Sequence, residues 1–149
     1  MGEQIRVVAH FTDGKIVKGT TDDFLPSRPT FHLHPVGSNA VQEIQSRLLK
    51  AVFFVKDFAG NAARNEARGF GTNLSETNQG KKIAVRFKDG EVLCGYTLAF
   101  TPERSGFFML PADAGSNNIR IFVLKHATQE IAVGPKAEAL AKGPGNKAA

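Results

Sequence analysis

The chain contains one stretch of 25 residues twice, and this duplication constrains its fold more than any other feature. Residues 11–35 align with residues 87–111 without a gap, at an offset of 76 positions, and ten aligned residues are identical. The identical pairs are Phe11/Phe87, Asp13/Asp89, Gly14/Gly90, Gly19/Gly95, Thr21/Thr97, Phe24/Phe100, Pro26/Pro102, Arg28/Arg104, Phe31/Phe107 and Pro35/Pro111. Self-similarity of this extent indicates two copies of one structural unit.

The first copy begins with the pattern of a β-hairpin. Ile5–Phe11 has the alternating periodicity of a half-buried strand. Asp13-Gly14 follows, and this dipeptide favours a two-residue hairpin turn because it accepts positive φ angles. Lys15–Thr21 is then the returning strand, in which Gly19 predicts a bulge or bend. Thr30–His34 is predicted as a third strand, and the same order recurs in the second copy.

An apolar run ends each copy, and we align Ala51–Val55 with Ile119–Leu124 as counterparts. Val41–Lys50 precedes the first run and is predicted to form one or two helical turns. Four or five short strands per copy, in meander order and bent at glycines, predict a mainly β fold. We expect two tandem small β-barrels of the Sm or SH3 kind, packed together.

Composition divides the chain into four segments. Residues 1–58 are predicted as the first barrel and residues 81–133 as the second. Residues 59–80 are rich in Asn, Ala and Gly, which indicates a linker with a short helical turn. Residues 134–149 form a tail of Gly, Pro, Lys and Ala that is predicted to be disordered. Units this small bury only about 60% of their unfolded surface, so we expect the barrels to pack on each other or on a partner.

The hairpin pattern FxDGxxxxG, present at Asp13-Gly14/Gly19 and Asp89-Gly90/Gly95, resembles the first half of the Sm-like fold. The whole chain also resembles a family of uncharacterised bacterial proteins built from such repeats, with a similar segment at Leu49–Phe58. The resemblance implies small barrels and brings no assigned activity. Sm proteins that hold RNA carry an Asp-x-Met-Asn loop after this hairpin. The loops here differ from it, so no RNA-contact residue is carried over.

Arg28 and Arg104 occupy the same position of the repeated loop and are the first candidates for ligand contact. The guanidinium of arginine donates two parallel hydrogen bonds to a phosphate or stacks on a nucleic-acid base. The alternative, which we favour, is that each guanidinium ties its own loop to backbone carbonyls. Lys82, Arg86 and Lys88 form a positive stripe on one strand face, which either contacts nucleic acid or is the solvated side of the sheet. The net charge of +5 is spread along the chain, which favours a solvated surface.

His32 and His34 lie two positions apart on a strand and so point to one face. This spacing is compatible with metal binding, but the residues at the same positions of the second copy are Phe108 and Leu110. An apolar counterpart favours an interface between elements or copies over a metal site. We therefore assign these four residues to an interface and predict no metal.

The segment from Arg64 to Arg68, followed by Asn73-Leu74-Ser75, resembles the paired motifs of PilZ domains, which bind cyclic di-GMP. The second motif lacks its Gly at the expected spacing, which favours a chance resemblance. It implies a cyclic-dinucleotide sensor as the weakest alternative.

Motifs of catalysis are absent from the sequence, which has no GxSxG, HExxH, P-loop or GxGxxG. We predict that the protein is not an enzyme and has no cofactor. A single cysteine, Cys94, and the lack of an apolar leader or membrane-length run predict a cytoplasmic protein. We expect a non-enzymatic binding or regulatory module that contacts a protein partner or another copy of itself. Binding of RNA or another nucleic acid through the Sm-like loops is the alternative.

Overall fold

The computed structural model describes residues 5–56, 81–97, 104–111 and 118–141. This part of the chain is mainly β. Its elements are β1 (Ile5–Phe11), β2 (Ile16–Thr21), β3 (Thr30–Pro35), β4 (Gln42–Gln45), β5 (Leu49–Val55), β6 (Lys81–Phe87), β7 (Val92–Thr97), β8 (Gly106–Pro111), β9 (Asn118–Leu124), β10 (Thr128–Val133) and the helix α1 (Pro135–Ala141). Short 3-10 turns, Ser46–Leu48 and Lys125–Ala127, precede β5 and β10. No helix in these ranges is long and apolar enough to cross a membrane.

The ten strands form one antiparallel sheet in the order β10-β6-β7-β8-β9-β5-β1-β2-β3-β4. This confirms the predicted mainly β class. The finer prediction of two tandem barrels packed together is not confirmed, because the described strands form one continuous sheet that does not close. The reason lies in β5, which pairs with β1 of its own half and with β9 of the other half.

The two halves share one strand topology. In each, the fifth strand returns to pair with the first, and the registers correspond: Val7 is opposite Phe54, and Ile83 is opposite Val133. Both pairings also carry an irregularity of register at the same point. The duplicated sequence therefore folds twice into the same arrangement of neighbouring strands.

The alignment of the last strands needs correction. The counterpart of β5 is β10, which the sequence analysis did not identify as a strand, and the counterpart of β4 is the C-terminal part of β9. The predicted helical turns at residues 41–50 are wrong for Gln42–Gln45, which is a strand, and right only for the 3-10 turn that follows. The offset between the halves is 76 at β1 and β6 and 79 at the last strands, whereas the alignment of Ala51–Val55 with Ile119–Leu124 has an offset of 68.

The sheet encloses two apolar cores, and β5 contributes to both. Val52 and Phe54 lie in the first core, which also contains Phe31 and Leu33. Ala51, Phe53 and Val55 point the other way, into the second core. Every residue of β5 is buried, which explains its continuous apolar run, since a strand covered on both faces does not alternate.

Hairpin turns form at both Asp-Gly sites, but they are not the predicted two-residue turns. The Phe11 N–H donates to the Lys15 carbonyl with three residues between them, and no non-glycine residue of the described ranges has a positive φ. Gly14 and Gly90 have φ angles of 95° and 97°, in the left-handed region that glycine adopts freely. No shift of register marks a bulge at Gly19 in the pairing of β1 with β2. The backbone at Gly19 instead passes so close to the carbonyl of His34 that a Cβ there would overlap it.

The C-terminal segment differs from the prediction of disorder over residues 135–141, which form α1. Ala137 and Leu140 are buried and pack with Ala84 and Ala132 of the second half. Small apolar residues on both surfaces permit this close packing, so the helix covers the outer face of β6 and β10. The rest of the predicted tail and the predicted linker at residues 59–80 lie outside the described residues.

Candidate functional site

A groove of about 430 Å³ lies where the two halves meet, and we call it the junction groove. Its wall from the first half is Pro26. The second half supplies the remaining residues, which are Tyr96, Arg104, Gly106, Phe107, Phe108, Met109, Leu110, Arg120 and Phe122. Its size and its position between two units are typical of ligand pockets.

Aromatic rings form the floor of the junction groove. Phe108 of β8 is directly opposite Phe122 of β9 in the strand register, and their ring centroids are 5.0 Å apart. Phe54 lies 5.9 Å from Phe108, and Phe24 lies 5.3 Å from Phe122, both from the first half. Edge-to-face packing of this kind holds the floor rigid.

Arg120 is fixed above this floor by its place on β9. It lies two residues before Phe122, so the two side chains share one face of the strand. Its guanidinium carbon is 4.6 Å from the ring centre of Phe54 and 4.7 Å from that of Phe108. The two cation–π contacts orient the group.

A second groove of about 370 Å³, the loop groove, shares Pro26 with the junction groove. Arg47 and Arg28 line it, together with Pro26, Ser27, Pro29, Thr30, Gln45, Ser46, Ser105, Leu124 and His126. Arg47 Nε donates to Gln45 Oε1 over 2.8 Å. His126 Nε2 donates to the Leu49 carbonyl over 2.7 Å, which ties the second half to the first at this point.

The two repeated loops meet at these grooves. Pro26 lines both, while Arg104 lines the junction groove and the adjacent Ser105 lines the loop groove. The structure therefore brings Arg28 and Arg104 to adjoining sites. The sequence favours a role for each guanidinium in holding its own loop. No guanidinium bond from either residue to a backbone carbonyl of the described ranges is present, and only the backbone N–H of Arg28 bonds within its loop.

The described side chains that line the grooves carry positive charge and no negative charge. Four arginines line them (Arg28, Arg47, Arg104 and Arg120), and no Asp or Glu of the described ranges does. None of the four forms an ion pair with a carboxylate in the described part of the chain. The arrangement is suited to an anionic ligand.

The other predicted basic residues lie elsewhere. Lys82, Arg86 and Lys88 lie on β6 and its turn and line neither groove. Arg86 donates from its guanidinium to Glu130 Oε1 over 3.1 Å, and Ala84 between Lys82 and Arg86 is covered by α1. The structure does not join this stripe to Arg28 and Arg104.

The predicted interface residues fall into two groups. Phe108 and Leu110 line the junction groove. His32 is exposed, and its Nδ1 lies 2.6 Å from Asp23 Oδ2. This hydrogen bond raises the pKa of His32. His34 is half-buried on the same strand, and no cluster of metal-binding side chains occurs among the described residues. Arg64 and Arg68 lie outside them, so the cyclic-dinucleotide motif stays a prediction.

Sequence reasoning missed Arg120 and Arg47. The signal for Arg120 was available, since it is a lone charge within the apolar run Ile119–Leu124 and shares a face with Phe122. Arg47 carried no such signal. Its position depends on the 3-10 turn before β5, which the sequence analysis placed in a longer helical segment.

Cys94 is poorly suited to nucleophilic chemistry. Burial raises the pKa of its thiol to about 11, so little thiolate forms near neutral pH. Its surroundings are the small apolar residues that α1 packs against.

Comparison with known proteins gives one match. Residues 3–134 match the family model described as a family of unknown function, DUF6982. No curated protein and no solved structure matches the chain.

Proposed function

The chain belongs to the family of unknown function DUF6982, and from the geometry of its junction groove we propose that it is a non-enzymatic protein-interaction module. One observation carries this proposal. The groove lies between the two halves, has an aromatic and aliphatic floor, and presents Arg104 and Arg120 without a carboxylate partner in the described ranges. A cytoplasmic location fits this proposal, as does the use of each half as an Sm- or SH3-like unit.

The floor and the rim of the groove have different tasks in this proposal. Phe108 is half-buried and Leu110 also remains partly exposed, so a partner side chain that covers them removes apolar area from water. Arg104 is exposed at the rim, where a charge contributes more to orientation and association rate than to affinity. An apolar centre with a charged rim is the usual composition of a protein interface.

The proposal can be tested by photocrosslinking in the cells that produce the protein. A photoreactive residue at Leu110 is expected to form adducts that protease removes and RNase does not. The same residue at Lys88, which is exposed and lines neither groove, is the control and is expected to form fewer adducts. An absence of adducts at Leu110, or equal adducts at both positions, would contradict the proposal.

Nucleic-acid binding is the second candidate, and the meeting of the Arg28 and Arg104 loops at Pro26 favours it. Affinity that depends on phosphate contacts falls steeply with salt. RNase-sensitive adducts at Leu110, together with a steep loss of RNA binding as salt rises, would support this candidate over a protein partner.

A further inference from the structure

The junction groove and the loop groove are two parts of one surface track. Pro26 lines both. The second half also contributes to both, because Arg104 and Gly106 line one groove and Ser105 lines the other. A ligand long enough to pass Pro26 therefore contacts both halves of the chain at once.

The two parts of the track differ in chemistry. The junction groove is lined mainly by apolar side chains such as Phe108, Met109 and Leu110. The loop groove is lined by hydroxyl and amide groups, among them Ser27, Thr30, Gln45 and Ser46. Arginines occur along both parts. A complementary ligand needs an apolar group at one end and hydrogen-bonding, anionic groups at the other.

The aromatic rings of the track do not offer platforms for stacking bases. Arg120 covers the rings of Phe54 and Phe108, and Tyr96 and Phe122 are each only 3% exposed. Proteins that bind single strands need free ring faces for successive bases. Within the described ranges, the track is therefore better matched to a peptide than to RNA.

Resting on the proposed interaction function, we infer that the partner presents an extended acidic segment with one aromatic or aliphatic anchor. The anchor lies in the junction groove against Leu110 and the exposed part of Phe108, beside Arg104 and Arg120. Carboxylates of the same segment cross Pro26 and bind Arg28 and Arg47 in the loop groove. The absence of acidic lining residues from the described ranges gives the charge complementarity on which this assignment depends.

Fluorescence anisotropy of the full chain with defined probes tests this inference. The main probe is a labelled peptide of Asp and Glu with one central Phe, and its partner probe has Gly in place of Phe. Wild type is expected to bind the Phe peptide more tightly. An exposed ion pair contributes about 0.2–1 kcal/mol. The double variant Arg28→Ala with Arg47→Ala loses two such pairs, so its affinity for the Phe peptide is expected to fall by roughly two- to thirty-fold. Lys88→Ala and Lys15→Ala, which remove exposed cations outside the track, are expected to leave binding unchanged.

A charge swap sharpens the test. Arg28→Glu with Arg104→Glu is expected to lose the acidic peptide and to gain binding of the same peptide with Lys in place of Asp and Glu. Unchanged affinity in the arginine variants, or no binding of the acidic peptide at low salt, would overturn the inference. Tighter binding of an RNA oligomer of equal charge, lost in the same variants, would also overturn it. If the acidic peptide fails in these assays but adducts at Leu110 resist RNase, the proposed interaction function is still supported and only the acidic partner is excluded.

Discussion

The Lys50 ammonium of the first half lies 2.8 Å from a carboxylate oxygen of Asp89 in the second half. Its second partner is Glu91 Oε1, and its Nζ lies 4.6 Å from the ring centre of Phe87. The Lys50 side chain is 10% exposed, whereas that of Asp89 is 56% exposed. The cation is therefore buried at the joint between the halves, and its carboxylate partners reach water.

Loss of the two carboxylates should cost more stability than loss of the cation. Asp89→Asn with Glu91→Gln leaves a buried ammonium without a counter-charge, and we expect the free energy of unfolding to fall by about 2–4 kcal/mol. In Lys50→Met the carboxylates turn to water, and the expected loss is below about 1.5 kcal/mol. Urea denaturation measures both values, and an equal or larger loss in Lys50→Met would contradict the asymmetry.

Mild acid should destabilise the protein through His10. Its ring packs on Phe53 with centroids 4.4 Å apart. Burial, and then the charge of Lys50, lower the pKa of His10 below 6.5, although Glu91 and Asp89 act in the opposite direction. The unfolded chain takes up the proton first, so this stability is complete above pH 6.5 and is lost as pH falls toward the folded pKa. Melting temperatures of wild type and His10→Phe should therefore diverge below about pH 6.5.

His32 provides the control for this pH dependence. The hydrogen bond to Asp23 raises its pKa, so its contribution is present below pH 6.5 and is lost as pH rises through the folded pKa. His32→Gln should keep the acid-induced loss of the wild type and make it slightly larger, because it removes a contribution that appears in acid. If His10→Phe loses stability in acid as steeply as the wild type does, His10 is not the group responsible.

The parts of the fold that could be predicted from sequence are local. The Asp13-Gly14 dipeptide places a hairpin turn correctly, and Gly14 has the positive φ, although the turn type differs from the predicted one. The pairing of β5 with β9 joins segments far apart in the chain. No local pattern specifies this pairing. The apolar run of β5 indicates that the strand is buried on both faces, but it does not indicate which strand lies next to it.

In the candidate site, too, the residues with a local signal could be predicted and those that depend on long-range contacts could not. Arg28 and Arg104 could be identified from the sequence because the same charged residue occurs at the same loop position in both copies, which indicates a contact that the loop makes. Arg120 and Lys50 were missed as functional or structural residues because their roles depend on what lies across a strand boundary. The guanidinium of Arg120 is held in the groove by its contact with Phe54 of the other half. Lys50 joins the two halves because Asp89 of the second hairpin turn lies within hydrogen-bond distance of its ammonium group.

Gly19 and Gly95 should be equally intolerant of a side chain. A Cβ at Gly19 would overlap the His34 carbonyl, and a Cβ at Gly95 would overlap the Leu110 carbonyl. Each backbone would have to move, so Gly19→Ala and Gly95→Ala are each expected to cost about 1–3 kcal/mol. Gly14→Asn, which has open space around it and suits a positive φ, should cost less than about 1 kcal/mol. Thermal denaturation compares the three, and a tolerated Gly95→Ala would contradict the close approach.

Equivalent positions in the two halves should respond differently to truncation. Phe108 packs on Phe54 and Phe122, whereas His32 at the same position of the first half is exposed. Because Phe108 is only half-buried, we expect Phe108→Ala to lower the free energy of unfolding by about 1–3 kcal/mol. His32→Ala is the matched control and should change it by less than about 0.5 kcal/mol. Equal effects in urea denaturation would show that the junction groove has no role in holding the halves together.

The helix α1 should protect the Cys94 thiol. Leu140 is 6% exposed and packs with Ala84 and Ala132 against Cys94. Leu140→Asp should detach the helix, and the thiol pKa should return from about 11 toward its ordinary value of 9.0. A shift of that size raises the thiolate fraction at neutral pH by up to about a hundred-fold, which the rate of reaction with an aromatic disulfide measures. Lys136→Ala, an exposed change on the same helix, is the control. A rate in Leu140→Asp equal to that of the control would mean that the burial of Cys94 depends on the sheet alone.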